Sequence, residues 1–351
     1  MWRKFLKHKV AVLGAIILVI LYVVVIFAGF FAPYDMLTQK TEYLYAPPFI
    51  TKIRFIDNEG NFYFRPFIYR QIAERDPKTL RFVYNDDITK KDFIKFFIRG
   101  DEYTVLGFIK SDIHLFGVEE GGLFLLGTDQ IGRDMLSRII FGGRISLSIG
   151  IIGVIIIIII GSILGTISGY FGGKTDNIIQ RFIEVLRTIP QIPLWMTLAA
   201  LLPPGLSPTL TYLGIVIILG LLGWPALARE LRGKVLAIRD SDYIYAAEVS
   251  GAGTSRVIFK HIIPNVLSHI VVIATLTMPG MIIAESALSF LGLGIKPPMT
   301  SWGALLIKIR DIHTLRGHPW LLIPAGFIII SVLCFNFIGD ALRDVSDPHS
   351  K

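Results

Sequence analysis

Long apolar segments, separated by polar ones, set the pattern of this chain. The first covers residues 10–31, which matches the ~20 residues that a helix needs to cross the hydrocarbon core of a bilayer. Comparable segments follow at about 145–170, 178–202, 210–228, 266–284 and 320–338. Each segment is expected to be helical, because a bilayer offers no partner to an unpaired backbone group. The pattern therefore predicts an all-α polytopic membrane protein with six transmembrane helices.

The polar stretch after the first apolar segment predicts a separate structure outside the lipid. Strands are predicted at 53–56, 62–64, 93–99 and 103–108. A turn at 57–61 separates the first two strands, and Gly100 with Asp101 separates the last two. We therefore expect residues 34–143 to hold a small, mainly β extracytoplasmic insertion.

One transmembrane segment carries a glycine stripe. Gly161, Gly165 and Gly169 are four residues apart, so they lie on one face of the predicted second helix. Small residues at this spacing allow two helix backbones to approach closely. We expect this face to pack against another helix of the same chain.

Composition supports a membrane protein and argues against a nucleic-acid partner. The chain is 53% hydrophobic with a mean hydropathy of +0.61. Its net charge is +8, but residues 33–128 are nearly neutral, with 13 Lys and Arg against 14 Asp and Glu. The positive excess therefore flanks the apolar segments, as it does in loops that stay in the cytoplasm.

The distribution of positive charge also predicts the orientation of the chain. The segments that six spans would leave inside hold 15 Lys and Arg, and the short outside segments hold four. Both termini are expected in the cytoplasm of a multi-pass protein of the cell membrane. The predicted organisation is an N-terminal segment with the first helix (1–33), the insertion and a pre-span segment (34–143), and a five-helix core (144–351).

Candidate chemistry within the chain is sparse. The sequence has no GxxxxGK[ST] phosphate loop and no HExxH, and its seven histidines are scattered. The only cysteine, Cys334, cannot form a disulfide within the chain. We predict no catalytic residue, no metal site and no cofactor in this chain. Few charged residues fall inside the predicted spans, which disfavours one alternative, an ion-coupled secondary transporter. A second alternative, an intramembrane enzyme, is disfavoured because the predicted spans offer no set of nucleophile and base or of metal ligands.

Three motifs resemble one family of transporters. The run LGTDQIGRDMLSR at 126–138 precedes the predicted second helix, PPMTSWG lies at 297–303, and GDALRDVSDP lies at 339–348. These runs are similar to signatures of the permeases of ABC importers in the dipeptide, oligopeptide and nickel branch. Asp129 and Asp134 are expected to tie a loop to a short interfacial helix, because no cluster of further ligands suggests a metal.

A polar loop at 229–264 resembles the cytoplasmic EAA loop of the same permeases. It places Tyr245, Ala246 and Ala247 ahead of Gly251 and ends at Pro264. In that family the loop is the coupling helix, which enters a groove of the ATPase. Tyr245 stands where the family often has a glutamate.

The resemblance implies a role for each of these residues and a set of partners. Tyr245, Ala246 and Ala247 would contact the ATPase, Gly251 would make a turn, and Pro264 would end the loop. The partners would be a second permease subunit, two cytoplasmic ATPase subunits that bind ATP and Mg, and an extracytoplasmic solute-binding protein. Peptides are the expected substrates, and oligosaccharides or nickel are the alternatives.

Overall fold

The computed structural model describes residues 2–75, 77, 82–105 and 107–346. Its α-helices are α1 (Trp2–Phe5), α2 (Lys9–Ile26), α3 (Ala28–Phe31), α4 (Met135–Phe171), α5 (Gly173–Thr188), α6 (Gln191–Ala200), α7 (Pro208–Arg239), α8 (Asp242–Val249), α9 (Thr254–Arg256), α10 (Ile263–Phe290), α11 (Trp302–Leu305), α12 (Ile312–Gly317) and α13 (Ile323–Ser346). A π-helical segment, Val257–Ile262, joins α9 to α10. Short 3₁₀ turns lie at Phe49–Lys52, Leu306–Arg310 and Pro319–Leu322.

Five helical stretches in the described part of the chain are long and apolar enough to cross a membrane. They are Lys9–Ile26, Met135–Phe171, Pro208–Arg239, Thr254–Phe290 and Pro319–Ser346. A mainly helical membrane protein with a small β region is therefore confirmed. The second of these helices begins ten residues before the predicted start at 145, because the polar pre-span residues continue the helix.

The third predicted span, 178–202, is not one helix. It is divided into α5, of 16 residues, and α6, of 10 residues. Ile189, between them, has an extended backbone with φ −83° and ψ 127°. Pro190 explains the break, because a proline ring disfavours the helical conformation of the residue before it. A count of six spanning helices is thus not confirmed.

The β region consists of two separate antiparallel sheets. Strands β1 (Arg54–Ile56), β2 (Phe62–Arg75) and β3 (Phe82–Phe93) form one sheet in that order, and β4 (Lys95–Val105) pairs with β5 (Ile109–Gly117) in the other. The hairpin predicted around 57–61 is confirmed, with Ile56 opposite Phe62. The break predicted at Gly100 and Asp101 is wrong, because β4 continues through them with a register shift. Leu106, in the last predicted strand, lies outside the described residues.

Asp57 organises the first hairpin turn. Its carboxylate accepts backbone N–H groups of Glu59 and Asn61, each at 2.9 Å, and the Lys91 ammonium at 2.7 Å. The hydrogen bond from Lys91 holds the pKa of Asp57 well below its usual range. A side chain that accepts from the backbone two residues on is typical of an Asx turn.

The chain divides into two compact units. One comprises Met1–Val19, Leu147–Ile295 and Ile328–Lys351, and the other comprises Ile20–Ser146 and Lys296–Phe327. Both sheets and the signature at 126–138 belong to the second unit. The loop at 229–264 belongs to the first unit.

The glycine stripe packs α4 against α7, as predicted. A Cβ atom added at Gly165 would lie 2.6 Å from the carbonyl oxygen of Ala228, and one at Gly169 would lie 2.9 Å from that of Arg232. Gly161 faces the side chain of Leu227. These two helices therefore meet backbone to backbone, which a larger residue would prevent.

Candidate functional site

The predicted polar loop is more ordered and shorter than the sequence suggested. Residues up to Arg239 continue α7, and Thr254 already begins the next long helical stretch. The segment outside the two long helices therefore covers only 240–253, and α8 occupies most of it. The sequence prediction was too long because charged residues at the end of α7 look like a loop while they remain helical.

Gly251 ends α8 in a left-handed backbone conformation. Its φ is +82°, and its N–H donates to the carbonyl of Glu248 at 2.9 Å. The N–H of Ala252 donates to the carbonyl of Ala247 at 3.0 Å. This pair of bonds is the Schellman motif, in which glycine is favoured because it has no Cβ. The turn predicted at Gly251 is confirmed, and open space around its Cα shows that conformation, not close approach, requires the glycine.

A small apolar core fixes α8 against the long helices. Ile244 is buried with Val235 of α7 and with Val257 and Ile262 of the π-helical segment. At the edge of this core, the Tyr170 hydroxyl donates to the Glu248 carboxylate at 2.6 Å. The Asn265 side-chain amide donates to the Tyr243 hydroxyl at 2.8 Å. These contacts hold the short helix in one orientation relative to α4, α7 and α10.

The opposite side of α8 is exposed and partly apolar. Tyr245 is 70% exposed and Val249, one turn later, is 71% exposed. Ala246 is also exposed, whereas Ala247 is half-buried. Phe259, in the π-helical segment, is a further exposed aromatic side chain. Large exposed apolar residues at i and i+4 on a fixed helix are typical of a surface that binds a partner. Phe259 is an exposed side chain that sequence reasoning did not select.

Pro264 does not end the loop, which corrects the prediction. It lies inside the continuous helical stretch Thr254–Phe290, directly after the π-helical segment. The N–H of Ile263 donates to the carbonyl of Ile258, five residues earlier. Because proline has no N–H and its ring crowds the carbonyl four residues before it, a wider π turn accommodates Pro264 without ending the helix.

A partly buried ion pair joins α5 to α7 within the same unit. The Arg232 guanidinium donates two hydrogen bonds to the Asp176 carboxylate, each at 2.5 Å, and Ser168 of α4 donates a third at 2.5 Å. Arg239 also donates to the carbonyl of Gly169. Sequence reasoning missed this group, because its members are far apart in the chain.

The signature at 126–138 forms a tight loop before α4. Asp129 accepts from the side chains of Arg133 and Arg138 and from the backbone N–H of Ile131. Gly132, with φ +76°, lies so close to the carbonyl of Lys40 that a Cβ atom has no space there. Asp129 therefore ties the loop to the start of α4, which is a long spanning helix and not the short interfacial helix that the sequence predicted.

Asp134 caps the first turn of α4 from a fully buried position. One carboxylate oxygen accepts from the backbone N–H and the hydroxyl of Ser137, each at 2.7 Å. The other oxygen is buried without a hydrogen-bond partner. Burial raises the pKa of Asp134 to about 6. Across the described residues, no three His, Cys, Asp or Glu side chains gather as a metal site would require.

Comparison with protein families matches most of the chain. Residues 157–351 match the family "Binding-protein-dependent transport system inner membrane component". Residues 1–48 match the "N-terminal TM domain of oligopeptide transport permease C".

Individual relatives agree with these matches. The oligopeptide transport system permease protein OppC of Haemophilus influenzae is 46% identical over 231 residues, which are 66% of this chain and 72% of the relative. The OppC protein of Bacillus subtilis is 42% identical over 63% of this chain and 70% of its own length. The dipeptide transport system permease protein DppC of Bacillus subtilis is 43% identical over 63% of this chain and 68% of its own length. The chain therefore belongs to the inner-membrane components of binding-protein-dependent transport systems, and it is a membrane permease subunit of an ABC importer, not an enzyme.

Proposed function

We propose that this chain is one permease subunit of an ATP-driven importer that carries di- and oligopeptides. The support for peptides is that relatives 42–46% identical to it are oligopeptide and dipeptide transport permeases. In this proposal an extracytoplasmic solute-binding protein delivers the peptide, and a second, distinct permease subunit completes the pathway. Oligosaccharides and nickel remain the alternative cargoes of the same machinery.

The proposed topology has six crossings and both termini in the cytoplasm. We assign α5 and α6 together to the third crossing, which is broken at Ile189. At about 1.5 Å per residue, helices of 16 and 10 residues supply enough length for a bilayer core of about 30 Å. The positive charge beside the predicted inner ends supports this orientation. It leaves 34–143 outside and α8 inside, with lipid around the spanning helices.

The observation that carries the proposed coupling mechanism is the fixed orientation of α8. Tyr245, Ala246 and Val249 face outward on a helix that Ile244 anchors. We assign this surface to a groove on one of two ATPase subunits, which bind ATP and Mg between them. Gly251 shapes the end of the helix, Ala247 supports the turn, and Pro264 lies in the first turn of α10. Movement of the ATPases would then reach α7 and α10 through a rigid connection.

Uptake by proteoliposomes tests the proposed function. The complex of this chain with its co-purifying subunits is reconstituted with the solute-binding protein and with ATP inside the vesicles. ATP-dependent accumulation of a labelled peptide is expected. Accumulation of only an oligosaccharide or Ni²⁺ would show that peptides are not the cargo. Uptake driven by an ion gradient without ATP would contradict assignment to the ATP-driven importers.

A further inference from the structure

The β4–β5 hairpin carries large apolar side chains at its turn that nothing in its own unit covers. Phe108 is 74% exposed and Ile109 is 53% exposed. The turn is closed by a hydrogen bond from the N–H of Phe108 to the carbonyl of Val105 at 3.2 Å. Phe108 and Ile109 thus form an exposed apolar pair at the end of this hairpin, whereas the turn at 57–61 is polar.

The hairpin packs directly against the end of the first membrane helix. The ring of His114 in β5 bonds the carbonyl of Ala32 at 2.6 Å. The ring of Tyr103 in β4 fills the space beside Gly29 of α3. His114 is 2% exposed, so this is a buried contact and not a surface encounter. The hairpin is therefore fixed relative to α3.

The order of these contacts gives the direction in which the hairpin points. His114 contacts Ala32, which follows the last residue of α3. Tyr103, which is closer to the hairpin turn, contacts Gly29, nearly one helical turn earlier in the chain. Earlier again, the carbonyl of Val25 accepts a hydrogen bond from Arg144 at 2.9 Å. Arg144 shares a cavity of about 290 Å³ with Thr104 and Lys110, the second pair from the turn, and with Asp35 and Glu102. The turn of the hairpin therefore points back along the first span, toward the bilayer.

The depth of the turn follows from simple lengths. Starting at Lys9, a core of about 30 Å at 1.5 Å per residue ends near Gly29, the residue beside Tyr103. Two further residues along β4, at about 3.3 Å each, place Val105 roughly 7 Å below that level. Apolar groups of interfacial anchors are buried about 5–10 Å into the boundary between headgroups and acyl chains. Phe108 and Ile109 fall within this depth.

We propose that the β4–β5 turn is a membrane anchor that inserts Phe108 and Ile109 into the outer leaflet. Lys110, which is exposed beside them, extends its ammonium to the phosphate level of the headgroups, while its methylene chain lies along the apolar residues. A lipid surface is the partner that this arrangement fits, because the turn continues the lipid-facing boundary of the first span.

Site-directed spin labelling tests the anchor. The full-length chain with Cys334→Ala receives a nitroxide at Phe108→Cys or Ile109→Cys and is reconstituted, with its co-purifying subunits, in nanodiscs of phosphatidylcholine and phosphatidylglycerol. Two exposed reference positions are labelled in the same way: Val19→Cys on α2 for lipid and Glu59→Cys in the first hairpin turn for water. Collisions with lipid-soluble O₂ and with a water-soluble Ni²⁺ chelate are then measured.

The proposal expects labels at 108 and 109 to behave like the label at 19. They should collide strongly with O₂ and lose collisions with the Ni²⁺ chelate. Strong collision with the Ni²⁺ chelate at both positions would place the turn in water and overturn the proposal. Protection from both reagents would also overturn it, because that result means burial by another protein subunit. The labelled side chains are exposed, so folding is not at stake in either variant.

Discussion

Gly251 is required for its backbone conformation and not for close approach of a neighbouring atom. Its backbone is left-handed, and no atom crowds the position of a Cβ. Substitution by valine should therefore distort the turn after α8 through conformational strain of about 1–2 kcal/mol, without a clash. We expect Gly251→Val to lose stimulation of ATPase activity by the loaded binding protein.

Gly253→Val is the matched control for this change. Gly253 has φ −66° and ψ 157°, which valine adopts readily, and no atom lies close to its Cβ position. The control should keep normal stimulation. Equal stimulation in both variants would remove Gly251 from the coupling mechanism.

Tyr245 tests whether an aromatic side chain replaces the carboxylate common in the family. Its ring is exposed and offers both an apolar face and a hydroxyl. We expect Tyr245→Phe to keep the ATPase bound, and Tyr245→Ala to weaken assembly by ~1–3 kcal/mol, as loss of an interface aromatic does. The amount of ATPase that co-purifies with each variant measures this. Wild-type yield and transport with alanine would show that Tyr245 lies outside the interface.

Asp134 makes stability depend on pH. Its pKa is raised from 3.8 to about 6 in the folded protein, so between these values the folded chain keeps a proton that the unfolded chain has released. The contribution of Asp134 to the free energy of unfolding is thus favourable at low pH and is lost as the pH rises toward about 6. It amounts to at most roughly 3 kcal/mol. Asparagine retains the oxygen that accepts from Ser137.

The comparison of wild type with Asp134→Asn isolates this effect. Thermal unfolding in detergent should show the wild type losing stability relative to the variant between about pH 4 and about pH 6. Other carboxylates contribute equally to both proteins, and their effects cancel. Parallel pH profiles of the two proteins would mean that Asp134 does not bind the proton.

At the scale of elements, the close packing of α4 on α7 depends on glycine residues, which have no side chain. A methyl group at Gly165 would lie 2.6 Å from a backbone oxygen and 2.9 Å from the Cα of Ala228, and neither backbone atom can rotate away. Gly165→Ala should therefore destabilise the protein by about 1–3 kcal/mol through overpacking. Gly233→Ala, in α7, is the control because no atom lies near its Cβ position. Urea or thermal unfolding of the two variants gives the comparison, and equal stabilities would exclude tight backbone contact at Gly165.

Sequence patterns predicted the elements best where one physical effect dominated. Long apolar runs correctly predicted the five spanning helices. The residues at 57–61 predicted the first hairpin, and the glycine spacing predicted the contact between α4 and α7. Patterns failed where two effects competed. Hydrophobicity indicated one helix across 178–202, but Pro190 breaks it. Pro264 indicated the end of the polar loop, but a π turn keeps the helix continuous there.

The candidate site shows the same division at finer scale. Gly251 could be predicted because its conformation is encoded in one residue. The pair of Asp176 and Arg232 could not, because it depends on how α5 folds back onto α7. Exposure of Val249 and Phe259 likewise follows from which face Ile244 buries. Tertiary packing, and not local preference, determines these features.

At the scale of the whole molecule, the proposed topology places the first hairpin and the α8 region on opposite sides of the membrane. Cysteines at Glu59 and Ser255, both exposed, report on the two sides after Cys334→Ala. A membrane-impermeant thiol reagent applied to intact cells or right-side-out vesicles should label the first only, and permeabilisation should expose the second. Labelling of both in sealed vesicles would contradict an arrangement of six crossings.

Ala46 and Thr128, which precede and follow the two sheets, lie side by side. The N–H of Ala46 donates to the Thr128 hydroxyl at 2.7 Å, and the N–H of Thr128 donates to the carbonyl of Ala46 at 2.9 Å. The segment of about eighty residues between them therefore begins and ends at neighbouring positions, as an inserted domain does. A stretch joined in this way can lengthen, shorten or change its sequence over evolutionary time while the helices before and after it keep their places.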